Sequence, residues 1–340
     1  MVLAKGHRKI LSELLISGLV ISGCAASRFQ SIELAMRQQN WPKAQHDLEE
    51  HIRENPRDGE AHLLLAEVYG ESNLIPQLQR TLETLRPLSP RYIKPAEFLA
   101  KKYWIKNFNL GVRHFQLREF NEAIKRFQFA ARMDSANAES WRRLGDALFM
   151  TARYYEAKKA YVQALEKEAE NLTVKNNLAE IYFIEKQYAK AIELCSDILL
   201  VKSRELNALR RRAYCYDALG KLAEAEMDFK LAVELNPTSE TLASFGLFYF
   251  RQREYRKAIE QFVRAEKTSA NPTVLYRYLG EAHWRLRDYK AMAAWYQKLV
   301  HSHPDDLLGW KNLALAYEAL GQKELLAQAR NQINKISSTN

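Results

Sequence analysis

Apolar and small residues return in one order along most of this chain. The sharpest instance is Trp141, Leu144, Gly145, Ala157, Tyr161 and Ala164. Moving back 34 residues gives Leu110, Gly111, Ala123, Phe127 and Ala130. Moving forward gives Leu178, Ala179, Tyr182, Ala191 and Ile198, with Cys195 in the slot that elsewhere holds an aromatic ring. Ala213, Tyr216, Ala225, Phe229, Ala232 and Pro237 follow. One residue is then lost before Gly246, Tyr249, Ala258, Phe262 and Ala265. Leu279, Gly280, Tyr296, Leu299 and Pro304 form another copy, and Trp310, Leu313, Ala314 and Tyr317 a last one. Charged residues between these positions sit at the spacing of solvated helix faces. Seven copies therefore cover 104–340.

Upstream the rhythm is weaker. Ala44, Leu48 and Pro56 mark a unit at 25–58, and Leu65, Ala66, Tyr69, Leu82 and Pro90 mark a second at 59–92. Residues 93–103 fall outside the period, and Pro87, Pro90 and Pro95 cluster nearby, which breaks helical rhythm. The expected organisation is a degenerate pair over 24–92, an irregular connector over 93–103 and a seven-unit array over 104–340. Whether the break at 87–96 is a hinge stays open.

A period of this length signals stacked repeats, none of which can bury its apolar face alone. The order of Trp, Leu-Gly, small residue, aromatic and Ala resembles the tetratricopeptide repeat family. That resemblance implies an all-α fold, a right-handed superhelical solenoid of about nine helix-turn-helix units. Helix A of each unit would line a concave groove. Small residues such as Gly145 and Ala157 let the two helices approach, and Trp141 and Tyr161 fill the remaining space. A Pro near the unit end stops helix B.

In that family, helix A positions 2, 5, 9 and 12 face the groove. Position 12 reads Phe115, Phe149, Phe183, Asp217, Phe250, Trp284 and Glu318. Position 5 reads Phe108, Arg142, Asn176, Arg210, Ala243, Arg277 and Lys311, and position 9 includes Asp146, Glu180 and Glu281. An aromatic ladder flanked by fixed charges suits an extended or helical peptide, because rigid rings and arginines anchor interfaces well. The alternative places the position-12 rings in the core, against the next helix A. The family's clamp for a C-terminal carboxylate is not matched. Asn176 and Asn177 fit it, but Glu180 would repel the ligand.

Before the repeats stands LLISGLVISGCAAS, from Leu14 to Ser27. The apolar run is too short to span a membrane, which takes about 20 residues. Lys5, His7, Arg8 and Lys9 precede it, and small residues close it, which is the pattern of a secretory leader. Ile21-Ser22-Gly23-Cys24 resembles the lipobox of bacterial lipoproteins. The resemblance implies a signal peptide over 1–23 and a lipid on Cys24. With Ala25 and Ala26 next, and no Asp, it also implies sorting to the outer membrane, facing the periplasm. Glu13 at the edge of the run departs from the pattern.

Composition adds little that changes this picture. The chain is 340 residues long and 47% hydrophobic, with a net charge of +10. Loss of Lys5, Arg8, Lys9 and Glu13 with the leader leaves it basic. The densest basic clusters are Arg210-Arg211-Arg212 and Arg251 to Arg256, both read as solvated helix faces, with no nucleic acid expected. Cys195 and Cys215 are read as buried core, with pairing in an oxidising compartment as the alternative, and they lack zinc-site spacing. No phosphate loop or nucleophile elbow occurs. His46 with His51, and His301 with His303, lack the spacing of a helical metal site. The expectation is a non-enzymatic scaffold with no cofactor or metal, binding a protein or peptide. The lipoprotein resemblance extends to pilus-assembly and secretion factors. Rival readings are a scaffold for polysaccharide export or peptidoglycan machinery, and a cytoplasmic adaptor without the leader.

Overall fold

The computed structural model describes residues 23–339. The leader expected over 1–23 lies outside them, apart from Gly23, and of Cys24 only its place in the first turn of α1 is described. Two compact units divide at Glu168 and Ala169. The first holds α1 (Gly23–Arg37), α2 (Trp41–Glu54), α3 (Gly59–Glu71), α4 (Ile75–Leu88), a 3-10 turn (Pro90–Tyr92), α5 (Ile93–Gln116), α6 (Phe120–Met133), α7 (Ala138–Met150) and α8 (Tyr154–Lys167). The second holds α9 (Leu172–Ile184), α10 (Tyr188–Val201), α11 (Leu206–Ala218), α12 (Leu222–Leu235), α13 (Ser239–Arg251), α14 (Tyr255–Thr268), α15 (Thr273–Arg285), α16 (Tyr289–Ser302), α17 (Leu307–Ala319) and α18 (Lys323–Thr339). Among the described residues these are nine helix pairs, with no strand. No described helix is long and apolar enough to cross a membrane.

Local chemistry sets both ends of each pair. The first helix opens on a polar cap in most repeats. Asn137 accepts from the Ser140 amide at 2.9 Å, Asn171 from Val174 at 3.1 Å, and Asp306 from Gly309 at 2.8 Å. Such caps satisfy amides that the helix leaves without partners. The turn into the second helix passes through one left-handed residue in every repeat: Gln39, Asn73, Arg118, Ala152, Lys186, Gly220, Arg253, Arg287 and Gly321. The turn closes with paired amide bonds, for instance Lys186 to Phe183 at 3.0 Å and Gln187 to Tyr182 at 2.8 Å.

The helices of a pair meet where a glycine faces an aromatic ring. A methyl group added to Gly145 would lie 2.5 Å from the Tyr161 ring, and one at Gly280 would lie 2.5 Å from Tyr296. Gly111 meets Phe127 and Gly246 meets Phe262 in the same way. Small residues at this position thus let the large ones fill the gap, as the repeat pattern implies.

The connector expected over 93–103 is instead helical. Ser89 ends α4 in extended backbone, the 3-10 turn follows, and α5 then runs unbroken from Ile93 to Gln116. Pro95 is harmless because it falls in the first turn, where no amide bond is lost. Ala96, Leu99 and Tyr103 form a buried stripe at helical spacing. Tyr103 lies beneath Gly70 and donates to the Glu67 carbonyl at 3.0 Å. Lys102 pairs with Glu67 at 2.7 Å and Lys106 with Glu71 at 2.6 Å. Residues 93–103 therefore extend the first helix of the third repeat back against α3. The proline-rich stretch lies inside the first compact unit and not at the division between the two units.

Several phenols and both described thiols titrate late. Burial, then the Glu71 and Glu67 charges, push Tyr103 above the ordinary value of 10.0. Burial and a bond to Glu49 do the same to Tyr69, and burial with Glu226 to Tyr249. Cys195 and Cys215 are free and buried. Burial pushes them up from 9.0 to about 11 and about 12, with Cys195 adding to the shift on Cys215. At alkaline pH the unfolded chain loses these protons first, so it binds fewer protons than the native chain and stability falls. The expected urea midpoint is unmoved by these groups up to about pH 8 and falls steadily above it, first as the two thiols and then as the phenols of the unfolded chain ionise. A midpoint that holds or rises from pH 9 to 11 would contradict this account.

Candidate functional site: the helix-A face of the C-terminal repeats

In the second unit the first helices of the last three repeats, α13, α15 and α17, form a cleft of about 220 Å³. Tyr296 and Leu299 of α16 make its floor, and Phe250, Tyr278 and Leu308 its apolar walls. Tyr278 stacks on Phe262 at 5.4 Å and meets the edge of Phe250 at 5.8 Å, which fixes the wall. Gly309 stands where a side chain would press Leu299 and Val300. Arg277, Glu281 and Asn312 form the polar rim. Burial, then Glu281, pushes the Tyr296 phenol up to about 12. The volume lies below the 300–1,000 Å³ typical of small-molecule sites. It fits one large apolar side chain with polar atoms at its mouth.

Three of the sequence-predicted groove residues, Phe250, Arg277 and Glu281, converge here. The face continues beyond the cleft. Val274 is 60% exposed, Leu308 56%, Leu315 53% and Trp284 40%. Val274 precedes Arg277 and Glu281 by three and seven residues, and Leu308 stands seven before Leu315, so each set shares a helix face. Val274 and Leu308 occupy position 2 and Leu315 position 9. Reading positions 5, 9 and 12 for rings and charges passed over them. The same helical spacing that marks position 5 would have found them.

The remaining predicted residues are placed differently from a free ladder. Phe115 makes an edge contact with Phe120 at 5.3 Å, Phe149 with Tyr154 at 5.5 Å and Phe250 with Tyr255 at 5.4 Å. Phe183 lies 6.0 Å from Tyr188 and 6.2 Å from Tyr214. These half-buried rings fasten the end of helix A to the first ring of helix B, and Phe183 also reaches the next helix A. Phe108 stacks on Trp104 at 5.3 Å.

Most predicted charges are already paired. Arg142 is held by Glu139 and, at 2.8 Å, by Asp146, which also accepts the Tyr161 hydroxyl at 2.8 Å. Arg211 donates to Asn176 at 2.7 Å and to Glu180 at 2.8 Å. Arg210 reaches Glu240 at 2.5 Å, Arg251 reaches Asp217, and Arg277 reaches Asp306. The last three arginines bridge the first helices of neighbouring repeats, as does Arg211. Glu281 accepts from Arg285 at 2.9 Å. Lys311 is exposed.

Helix pairs stacked within each unit, with polar caps in most repeats, define a helical-repeat interaction scaffold. The repeat itself is recognisable beyond this chain. Two descriptions of the tetratricopeptide repeat match it, one over residues 30–71, 108–157, 151–205 and 245–307, the other over 207–239. The chain belongs to the tetratricopeptide repeat family.

Superkiller protein 3 of Schizosaccharomyces pombe is 29% identical over 180 residues, which are 52% of this chain and 12% of that protein. Stress-induced-phosphoprotein 1 of Caenorhabditis elegans is 24% identical over 188 residues, 53% of this chain and 56% of its own length. The chain thus spans from about an eighth to just over half of these relatives. Among solved structures, the C-terminal part of a TPR repeat-containing protein from Cytophaga hutchinsonii superposes with a TM-score of 0.60 at 18% identity, covering 68% of this chain and 96% of that one. The PilF protein of Pseudomonas aeruginosa superposes with a TM-score of 0.50 at 15% identity, covering 66% and 99%. Both likenesses are of fold.

Proposed function

We propose that this chain is a membrane-tethered scaffold that captures a segment of a partner protein. In this reading it serves as an assembly factor or pilotin of a bacterial pilus or secretion machine. The cleft of α13, α15 and α17 carries the reading. It offers a socket for one apolar side chain, exposed apolar flanks at Val274, Leu308 and Leu315, and rim polar groups at Arg277, Glu281 and Asn312 that can orient a peptide backbone. A central anchor in a pocket with a polar rim is how peptide interfaces concentrate their affinity. The tether is supported by the lipobox-like Ile21-Ser22-Gly23-Cys24, with the lipid on Cys24 holding the chain at the outer membrane, facing the periplasm.

Two measurements test the reading. A photo-crosslinking residue at Asn312 should capture a defined partner, and Val274→Asp with Leu308→Asp should abolish that capture. Exposed sites tolerate such changes within about 0.5 kcal/mol, so the helical signal and urea midpoint should hold. Unchanged capture by the double variant would remove the cleft as the binding site. Palmitate label on the wild type and not on Cys24→Ser, with recovery in the outer membrane, is expected for the tether. Soluble, unlabelled protein would favour a cytoplasmic adaptor.

A further inference from the structure

The two basic clusters of the sequence have different fates. Arg210, Arg211 and Arg212 are all consumed by ion pairs inside the second unit. The cluster beginning at Arg251 lies at the turn from α13 to α14, and the next turn, from α15 to α16, repeats it. Together the two turns carry Arg251, Arg253, Arg256, Lys257, Arg285, Arg287 and Lys290 against Glu254 and Asp288. Lys257 pairs with Glu254 at 2.7 Å, and Asp288 faces His283 at 3.2 Å. Arg253, Arg256, Arg287 and Lys290 are exposed and have no carboxylate partner among the described residues.

The two turns leave the same edge of the unit. The first helices of successive repeats lie side by side, as Arg251 with Asp217 and Phe250 with Tyr278 show. Packed helices are about 8–10 Å apart, so the turns form one surface. Apolar groups stand among the cations. Leu286 is 39% exposed, and Trp284 carries the Arg285 guanidinium 4.5 Å above its ring. Arg253 and Arg287 sit at left-handed turn positions, with φ of 61° and 58°. Two other repeats use Gly220 and Gly321 at that place, where glycine is the least strained choice.

We propose that this edge, the α13–α14 and α15–α16 turns, is a docking surface for an anionic membrane. Unpaired cations interspersed with a tryptophan and a leucine suit a layer of acidic headgroups over acyl chains, which attracts Lys and Arg and admits amphipathic rings. A nucleic acid would use the cations but not the exposed leucine. The contact is separate from the lipid on Cys24, and it would turn a tethered chain so that one edge faces the bilayer.

The test uses the full-length chain carrying Cys24→Ser, so that no lipid contributes. Its sedimentation with phosphatidylcholine vesicles is compared with vesicles containing phosphatidylglycerol. Binding should be stronger to the anionic vesicles and should weaken as salt rises. Arg253→Gly, Arg256→Gln, Arg287→Gly and Lys290→Gln together should lower anionic-vesicle partitioning on the order of a hundredfold or more. The two glycines suit their turns, so folding should hold, and circular dichroism checks it. A charge-matched variant away from these turns, Lys202→Gln, Arg204→Gln, Lys230→Gln and Lys267→Gln, should retain most of the binding. Equal binding to neutral and anionic vesicles overturns the proposal. So does equal loss in both variants, or a turn variant that loses duplex DNA binding while keeping the vesicles.

Discussion

Asp228→Ala should destabilise the C-terminal unit by about 3–5 kcal/mol. Asp228 is buried on α12 and accepts two parallel bonds from Arg212, at 2.7 Å from Nε and 2.9 Å from Nη2. Arg212 also donates to Ser196 Oγ at 3.1 Å, so the group ties α10, α11 and α12 together. The bond to Asp228 raises the pKa of Arg212, and no pH below its titration discharges the guanidinium. Removing the carboxylate therefore leaves a largely buried cation with one neutral acceptor. Asp228→Asn keeps one acceptor and should cost less. Arg212→Met with Asp228→Leu removes both charges and should lie close to wild type, because burying a pair gains little over apolar packing. Urea unfolding followed by circular dichroism separates the three variants. If Asp228→Ala and the double variant were equally stable, the ion pair would not be what holds these helices.

Gly145→Val is the second large effect, at about 3 kcal/mol of destabilisation. The added group would press into the Tyr161 ring, which is fully buried and fixed by its hydroxyl bond to Asp146. The ring cannot swing away without breaking that bond. Gly145→Ala sets two effects against each other: the same steric clash, and a gain of roughly 0.5–1 kcal/mol from better helix propensity. The clash should win. Adding Tyr161→Leu to Gly145→Ala should recover about 1 kcal/mol or more relative to the sum of the single changes. Strict additivity would show that the helices separate freely at this contact.

The repeat rhythm was legible because each copy needs the same small and large residues at one crossing. Gly145 facing Tyr161 and Gly280 facing Tyr296 are the same contact at a distance of several repeats. The rhythm misled at 93–103, where prolines and a missing period suggested an irregular connector. A proline in a first helical turn costs no hydrogen bond, and Tyr103, on the buried stripe with Ala96 and Leu99, packs on α3 in the preceding repeat. The candidate site was partly legible. Phe250, Arg277 and Glu281 were marked by position, while Val274, Leu308 and Leu315 share the spacing without the rings or charges that drew attention.

Sequence alone determined that this protein is a run of helix pairs and, outside the misread stretch at 93–103, where the pairs fall and which residues cross between their helices. Those properties depend on neighbours within one repeat. Only the tertiary structure decided which charges remain available. Arg210, Arg211 and Arg212 read like Arg251 to Arg256 in one dimension, yet the first three meet carboxylates on other helices while Arg253 and Arg256 do not. Ion pairing between residues about 15 to 35 positions apart depends on how helices stack, and no local pattern records it.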